Sequence, residues 1–232
     1  MNAAIIVAGG RGTRMGAVIP KQLLLLEGKT ILERTLLPFL RCEAVGDIVV
    51  TVAEEILGAV EELVRGLGTE GKIRVVRGGA ERQESVWNGL KALTKNPEVV
   101  AVHDAVRPFI TAGLIAECIE TAARFGAVTV ARPLTETVKL VENGVVVETL
   151  DRARLRLTQT PQAFRTALLV RAHERARAES FSGTDDCMLV ERLGWPVQVI
   201  EGTDMNIKIT TPADLLLAGA ILPRFERGEN AC

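Results

Sequence analysis

Tyrosine is absent, and two tryptophans and six phenylalanines are the only other large aromatic residues in 232 positions. So few rings argue against a surface that stacks the bases of RNA. Neither sign of charge is in excess, since the formal net charge is −1. That leaves no electrostatic reason to expect nucleic acid or an anionic membrane as a partner. No apolar run approaches the ~20 residues of a membrane span. The N-terminus lacks the basic-then-apolar layout of a signal peptide. The cysteines Cys42, Cys118, Cys187 and Cys232 have neither metal-ligand nor CxxC spacing. Cys42 and Cys118 read as small core residues and Cys232 as part of a frayed tail from Arg224 onward, so a reducing cytoplasm is the expected location. Repeats, low-complexity segments and long linkers are also missing.

Apolar residues make up 47% of the chain, enough for a sizeable core in a single domain spanning 1–232. Short β-branched runs alternate with amphipathic stretches. The runs at Ala4 to Val7, Ile48 to Val52, Ile73 to Val76, Val99 to His103, Ala127 to Ala131 and Val197 to Ile200 read as strands. Helical spacing follows Thr30 and recurs over Glu54 to Leu67, Ser85 to Leu93 and Ala112 to Phe125, and another helix opens cleanly at Thr211-Pro212. Such alternation predicts an α/β fold with a mostly parallel sheet flanked by helices, and ligands beyond the carboxyl ends of its strands. From Thr137 to Thr160 the pattern changes: Asn143-Gly144 between β-formers is a strong hairpin signal. Two readings stand, a projecting β-arm that packs on a second subunit or an antiparallel extension of the same sheet.

The first strand breaks into Gly9, Gly10 and Gly12, followed by Arg14 and Lys21. Glycines allow a tight turn that presents N–H groups to an anion, and the two cations add fixed positive charge. This suits a polyphosphate; the alternative is an ordinary turn with solvated cations. It is neither a dinucleotide fingerprint, because Met15 stands where the third glycine is needed, nor a P-loop ending at Gly28-Lys29-Thr30, because Leu23 stands where that motif opens with glycine.

Three further blocks carry polar residues at strand ends. Gly78-Gly79-Ala80-Glu81-Arg82-Gln83-Glu84-Ser85 follows the third strand, and Ser85 either caps its helix or bonds a base. His103-Asp104-Ala105-Val106-Arg107-Pro108 ends the fourth; Asp104 suits a divalent cation or a ribose hydroxyl, or else pairs with Arg107. His103 reads as a packed or hydrogen-bonded turn residue and His173 as solvated. In Asn206-Ile207-Lys208-Ile209, Lys208 points away from its apolar neighbours, toward solvent or toward a site.

Together these blocks, with Pro20-Lys21-Gln22, Thr137-Val138-Lys139, Asp151-Arg152, Thr160-Pro161-Gln162 and Thr184-Asp185, resemble the 2-C-methyl-D-erythritol 4-phosphate cytidylyltransferase family in order along nearly the whole chain. The resemblance implies a Rossmann-like nucleotidyltransferase fold, CTP and methylerythritol phosphate as substrates, Mg²⁺ held mainly by the CTP phosphates with Asp104 as a candidate ligand, and a homodimer joined through the arm 137–160. It implies catalytic roles for Arg14, Lys21, Lys208 and Arg152, the last reaching in from the other subunit. It places Ala8, Gly9, Gly10, Gly12, Gly79, Ser85, Asp104 and Ala105 around the nucleotide, and Arg107, Thr137, Thr160 and Thr184 around the second substrate. Two positions depart from the family pattern: Gly9 where alanine is common, and Ala80 where aspartate is common. Ribitol 5-phosphate cytidylyltransferases share this framework, sugar-1-phosphate nucleotidyltransferases share only the opening loop, and a regulator that had lost catalysis would be expected to lose Arg14, Lys21 or Lys208.

Overall fold

A computed structural model describes residues 1–9, 19–69, 71–94 and 96–228. Gly10, Gly12, Arg14 and Cys232 lie outside these described residues. The main sheet contains β1 (Asn2–Ala8), β4 (Val45–Val52), β5 (Ile73–Arg77), β6 (Val99–Asp104), β7 (Ala127–Pro133), β10 (Arg156–Arg165) and β11 (Gln198–Glu201), in the order β11-β7-β10-β6-β1-β4-β5. Two small pairs stand apart from it, β2 (Leu25–Leu26) with β3 (Lys29–Thr30) and β8 (Val138–Glu142) with β9 (Val145–Leu150). The helices are α1 (Ile31–Arg41), α2 (Leu57–Gly66), α3 (Arg82–Lys91), α4 (Ala112–Phe125), α5 (Thr166–Ala178), α6 (Asp186–Glu191) and α7 (Pro212–Glu226). Strand β10 is antiparallel to both its neighbours, and the other main-sheet pairs are parallel.

Burial on both faces explains why β1 is apolar without alternation. Ile6 belongs to the cluster with Leu36 and Phe39 of α1 on one face. Ile5 joins Val86 of α3 and Leu169 of α5 on the other. A third cluster packs α7 through Ala218 and Leu222 against Val106, Phe109 and Ile209. Helix starts follow local chemistry: the Thr30 hydroxyl accepts the Glu33 N–H, and Thr211 and Asp214 form a reciprocal capping box before Pro212. Helix α7 continues to Glu226, which pairs with Arg34 at 3.0 Å, so chain order persists beyond Arg224, where fraying was expected.

The six expected strands are all present, and the seventh, β10, is an addition. Its residues Arg156 to Thr160 fall inside the segment expected to form the arm, but they pair with β7 in the main sheet. The projecting part is therefore the shorter β8–β9 hairpin, turning at Asn143 (φ 50°) and Gly144 (φ 80°). These paired positive φ values are what an Asn-Gly hairpin turn supplies. Among the described residues the hairpin strands pair only with each other, so they do not extend the main sheet.

Candidate active site

From β1 the chain passes to β4 and β5 on one side, then returns through α3 to β6 on the other. The direction of winding thus reverses between β1 and β6, and their carboxyl ends open a crevice, the usual ligand position in such sheets. A cavity of about 440 Å³ occupies it, lined by Ala8, Gly9, Lys21, Ala80, Arg82, Ser85, Asp104, Ala105 and Lys208, among others. A second cavity of about 280 Å³ adjoins it, lined by Arg107, Thr160, Gln162, Thr184 and Asp185 together with Arg82, Asp104 and Lys208. Those last three side chains form the wall shared by the two spaces.

Asp104 is the centre of this wall. Lys208 Nζ lies 2.8 Å from Oδ2, Arg107 Nε 3.7 Å from the same oxygen, and Arg82 Nε 3.4 Å from Oδ1. Burial opposes ionisation of Asp104, but Arg82, Lys208 and Arg107 outweigh it and hold the carboxyl well below its ordinary value. The sequence-level alternative, a simple Asp104–Arg107 pair, accounts for only the longest of these contacts. Burial lowers the pKa of Arg107, with Asp104 opposing; Arg107 Nη1 donates to Asn206 O at 2.7 Å.

Each cation is placed by its neighbours. Gln22, buried, donates through Nε2 to Ala8 O at 2.7 Å and docks the Lys21–Leu23 turn on the end of β1. Lys21 thereby lines the cavity. Asn206 donates to Thr160 O at 2.9 Å, and Ile209 N–H to Val106 O at 2.9 Å, while Ile207 and Ile209 pack in the α7 cluster. Lys208 is left on the opposite side, facing Asp104. Arg82 opens α3 and also contacts Asp186 Oδ2 at 2.6 Å. Burial opposes its charge, yet Asp186 and Asp104 raise its pKa beyond the ordinary guanidinium value.

His103 is fully buried at the end of β6. Its Nε2 lies 3.1 Å from Arg107 O, and a carbonyl only accepts, so Nε2 carries the proton. Nδ1 then accepts the Thr160 hydroxyl at 2.9 Å, and the same oxygen accepts the Asp104 N–H at 3.1 Å. Burial pushes the imidazole pKa down to about 4. His103 therefore holds the turn, as its sequence position suggested.

Ser85 is neither an N-cap nor exposed. It sits inside α3, accepts the Gly79 N–H at 3.0 Å and donates to Glu81 O at 3.0 Å. A Cβ on Gly9 would stand 3.0 Å from the Ser85 hydroxyl, so a side chain there would press on this contact. Ala80 N–H is held by Glu84 Oε2 at 2.9 Å. His173, expected in solvent, is fully buried against Trp87, with Nε2 3.0 Å from Asp186 Oδ1. Its helix α5 carries charge on one side and Leu169, Ala172 and Ala176 on the other, and His173 falls on the buried side.

The chain thus gathers Ala8, Gly9, Lys21, Ser85, Asp104, Ala105 and Lys208 around one cavity and Arg107, Thr160 and Thr184 around the next, with Gly79 fixed beside the first. Thr137 and Arg152 line neither. Arg152 is exposed beyond the hairpin, where its guanidinium donates to Thr135 O. Arg82, Gln22 and Asn206 were not singled out in the sequence as site residues, although each lies in a quoted block.

The family model for 2-C-methyl-D-erythritol 4-phosphate cytidylyltransferase matches residues 2–224. The chain belongs to this family. A relative of that name from Geotalea uraniireducens is 49% identical over 94% of this chain and 95% of its own length. One from Geobacter metallireducens is 47% identical over 94% and 96%. Among solved structures, 4-diphosphocytidyl-2C-methyl-D-erythritol synthase from Anaerococcus prevotii superposes with a TM-score of 0.86 at 33% identity, covering 97% of this chain and 96% of that one. The cytidylyltransferase from Thermus thermophilus superposes with a TM-score of 0.78 at 33% identity, covering 96% and 100%. As a member of this family the chain is a nucleotidyltransferase with the fold read from its sequence.

Proposed function

We propose that the paired cavities around Asp104 are where this enzyme works, with CTP in the larger and the polyol phosphate in the smaller. The enzyme transfers CMP from CTP to 2-C-methyl-D-erythritol 4-phosphate, giving 4-diphosphocytidyl-2-C-methyl-D-erythritol and pyrophosphate for isoprenoid precursor synthesis. The observation that carries the site assignment is the shared wall of Arg82, Asp104 and Lys208 between two spaces. In the reaction an oxygen of the substrate phosphate forms a bond to the α-phosphorus of CTP. The bond from that phosphorus to the bridging oxygen breaks, and its electron pair leaves with pyrophosphate. A phosphate monoester is already anionic, so the step needs no strong base, which agrees with His103 being committed to the turn.

The difficulty is the approach of two anions. Lys21, Lys208 and Arg14 supply fixed positive charge that stabilises the transition state, and Arg107, Thr160 and Thr184 orient the second substrate. Gly10 and Gly12 would give backbone N–H groups to the triphosphate. A divalent cation fits this donor set: Asp104 is an ionised carboxylate, and Mg²⁺ needs only one or two of these beside phosphates and water. Among the described residues no group of three His, Cys, Asp or Glu could hold a metal by itself, so the phosphates would be its main ligands. Bound there with Asp104, Mg²⁺ would neutralise phosphate charge.

The hairpin exposes Leu140, Val141, Val145, Val146 and Val147, between 42% and 66% accessible. An isolated hairpin is marginal in water, so a homodimer that covers this face accounts for it, with Arg152 completing the partner's site. Among the described residues no helix is long and apolar enough to cross a membrane. Cys42, Cys118 and Cys187 are buried and unbridged, which suits the cytoplasm. Pyrophosphate release with CTP and Mg²⁺, comparing methylerythritol 4-phosphate with ribitol 5-phosphate, tests the reading. Strong preference for the former is expected; preference for the latter overturns the substrate, and CTP binding without release overturns catalysis.

A further inference from the structure

Arg82 has a side chain one-quarter accessible, yet it touches two carboxylates nearly closed to solvent, Asp104 and Asp186. The contacts are unequal: Nη1 meets Asp186 at 2.6 Å, whereas Nε stands 3.4 Å from Asp104. Asp186 is thus the firmer anchor. Burial opposes its ionisation, but Arg82 and His173 hold its pKa below the ordinary value. An ionised carboxylate only accepts, so His173 Nε2 donates to it. Gln162 Oε1 accepts the Asp186 N–H at 3.3 Å, and Trp87 stacks on His173 with ring centroids 6.0 Å apart. His173 and Asp186 are 0% and 1% accessible and line neither of the paired cavities. Arg82 carries the Asp186 side chain's contact to the junction.

We propose that Asp186, oriented by His173, is a positioning residue that fixes the Arg82 guanidinium at the junction of the two substrate spaces. Arg82 in turn is a further catalytic residue, placed where the phosphate of one reactant meets the α-phosphate of the other. This rests on the assignment of CTP and the polyol phosphate to the two cavities. The anchor explains the arrangement electrostatically. Asp104 alone would draw Arg82, Lys208 and Arg107 together on one carboxylate. Asp186 keeps Arg82 on a second tether, so its charge stays in place when phosphates compete for it, and preorganised charge is the kind that lowers a barrier.

The test is a double-mutant cycle on full-length protein, with kcat, KM for each substrate and melting temperature measured together. Arg82→Gln is expected to lower kcat about 100-fold. Asp186→Asn is expected to lower kcat about tenfold through misplacement of Arg82, with KM for CTP changed less than about threefold. In the Arg82→Gln background, Asp186→Asn should cost no further activity. Because Asp186→Asn also perturbs a buried pair, His173 provides a second route. His173→Gln keeps a donor for Asp186 and should retain most activity; His173→Phe keeps the ring stack but not the donor and should lose about as much as Asp186→Asn. Equal losses from Asp186→Asn in both backgrounds, or equal activity of the two His173 variants, overturn the relay while an active wild type leaves the function standing. A wild type that releases no pyrophosphate overturns both.

Discussion

The Asp104 junction and the β8–β9 hairpin invert the usual distribution of residues in opposite ways. At the junction, Asp104, Arg107, His103, Thr160 and Asn206 are buried polar groups. On the hairpin, Leu140, Val141, Val145, Val146 and Val147 are exposed apolar ones. Buried charge is costly unless paired, and a large exposed apolar patch marks an interaction surface. The junction pairs its charges internally, with Lys208, Arg107 and Arg82 around one carboxylate. Among the described residues the hairpin has only its own strand pairing. The contrast teaches that the junction satisfies its charges within one chain, whereas the arm, with Arg152 just beyond it, leaves apolar surface exposed that the proposed homodimer would cover.

The comparison can be pressed hardest at Lys21. Lys21→Ala should keep the fold, read by circular dichroism, and lower turnover roughly 10²–10³-fold, the scale for losing one electrostatic stabiliser. Near-normal turnover would remove Lys21 from the chemistry and leave the junction a structural network. Acid tests the network's structural side. His103 has a folded pKa lowered to about 4 from 6.5, so the unfolded chain takes up the proton first. The neutral ring's stabilising contribution is present above pH 6.5 and declines as pH falls toward 4, by an amount on the order of 3 kcal/mol. Urea unfolding at pH 7 and pH 4.5 should show the decline, and His103→Gln should reduce it. Asp104 also has a lowered pKa, so its share persists in this window and is lost only at lower pH, beginning below its ordinary value of 3.8.

Two smaller effects separate the arm from the junction. If Arg152 serves the partner's site, mixing inactive Lys21→Ala and Arg152→Ala proteins should restore activity, because each mixed dimer has one intact site. Random exchange would give about a quarter of wild-type turnover. No recovery would place Arg152 in its own chain's site, and an Arg152→Ala protein that is active by itself would place the residue outside catalysis. The smallest expected effect is on the hairpin's own stability. Val145→Lys with Val147→Lys changes exposed residues, so the stability of the isolated chain should move by about 0.5 kcal/mol or less. Sedimentation should nevertheless shift from dimer to monomer; an unchanged dimer would assign the interface to another surface.

Why some of this was legible in sequence follows from particular residues. Strand β6 announces itself as Val99-Val100-Ala101-Val102, and Asn143-Gly144 fixes the hairpin turn locally. Strand β10 hid because Thr158, Gln159, Thr160, Pro161 and Gln162 break every strand pattern, and proline demotes a strand reading. Its polar side chains are paired from elsewhere: Thr160 with His103, Gln162 with Asp185, and Gln159 with Thr203. Lys21, Asp104 and Lys208 were visible as polar residues at strand ends or in apolar alternation. Arg82 and His173 were not, because their partner Asp186 is 104 positions from one and 13 from the other.

The sequence by itself determined the α/β class, six strands of the sheet, the helix starts at Thr30 and Thr211, the family, and the cations available for phosphate chemistry. These rest on short-range rules of period, capping and turn geometry, or on motifs whose order along the chain is itself the signal. Only the tertiary structure decided that β10 enters the main sheet, that His173 is buried, and that one carboxylate is shared by Arg82, Arg107 and Lys208. Those outcomes depend on which distant groups meet when both faces of the sheet are covered, and a buried polar side chain must find its partner wherever the fold provides one.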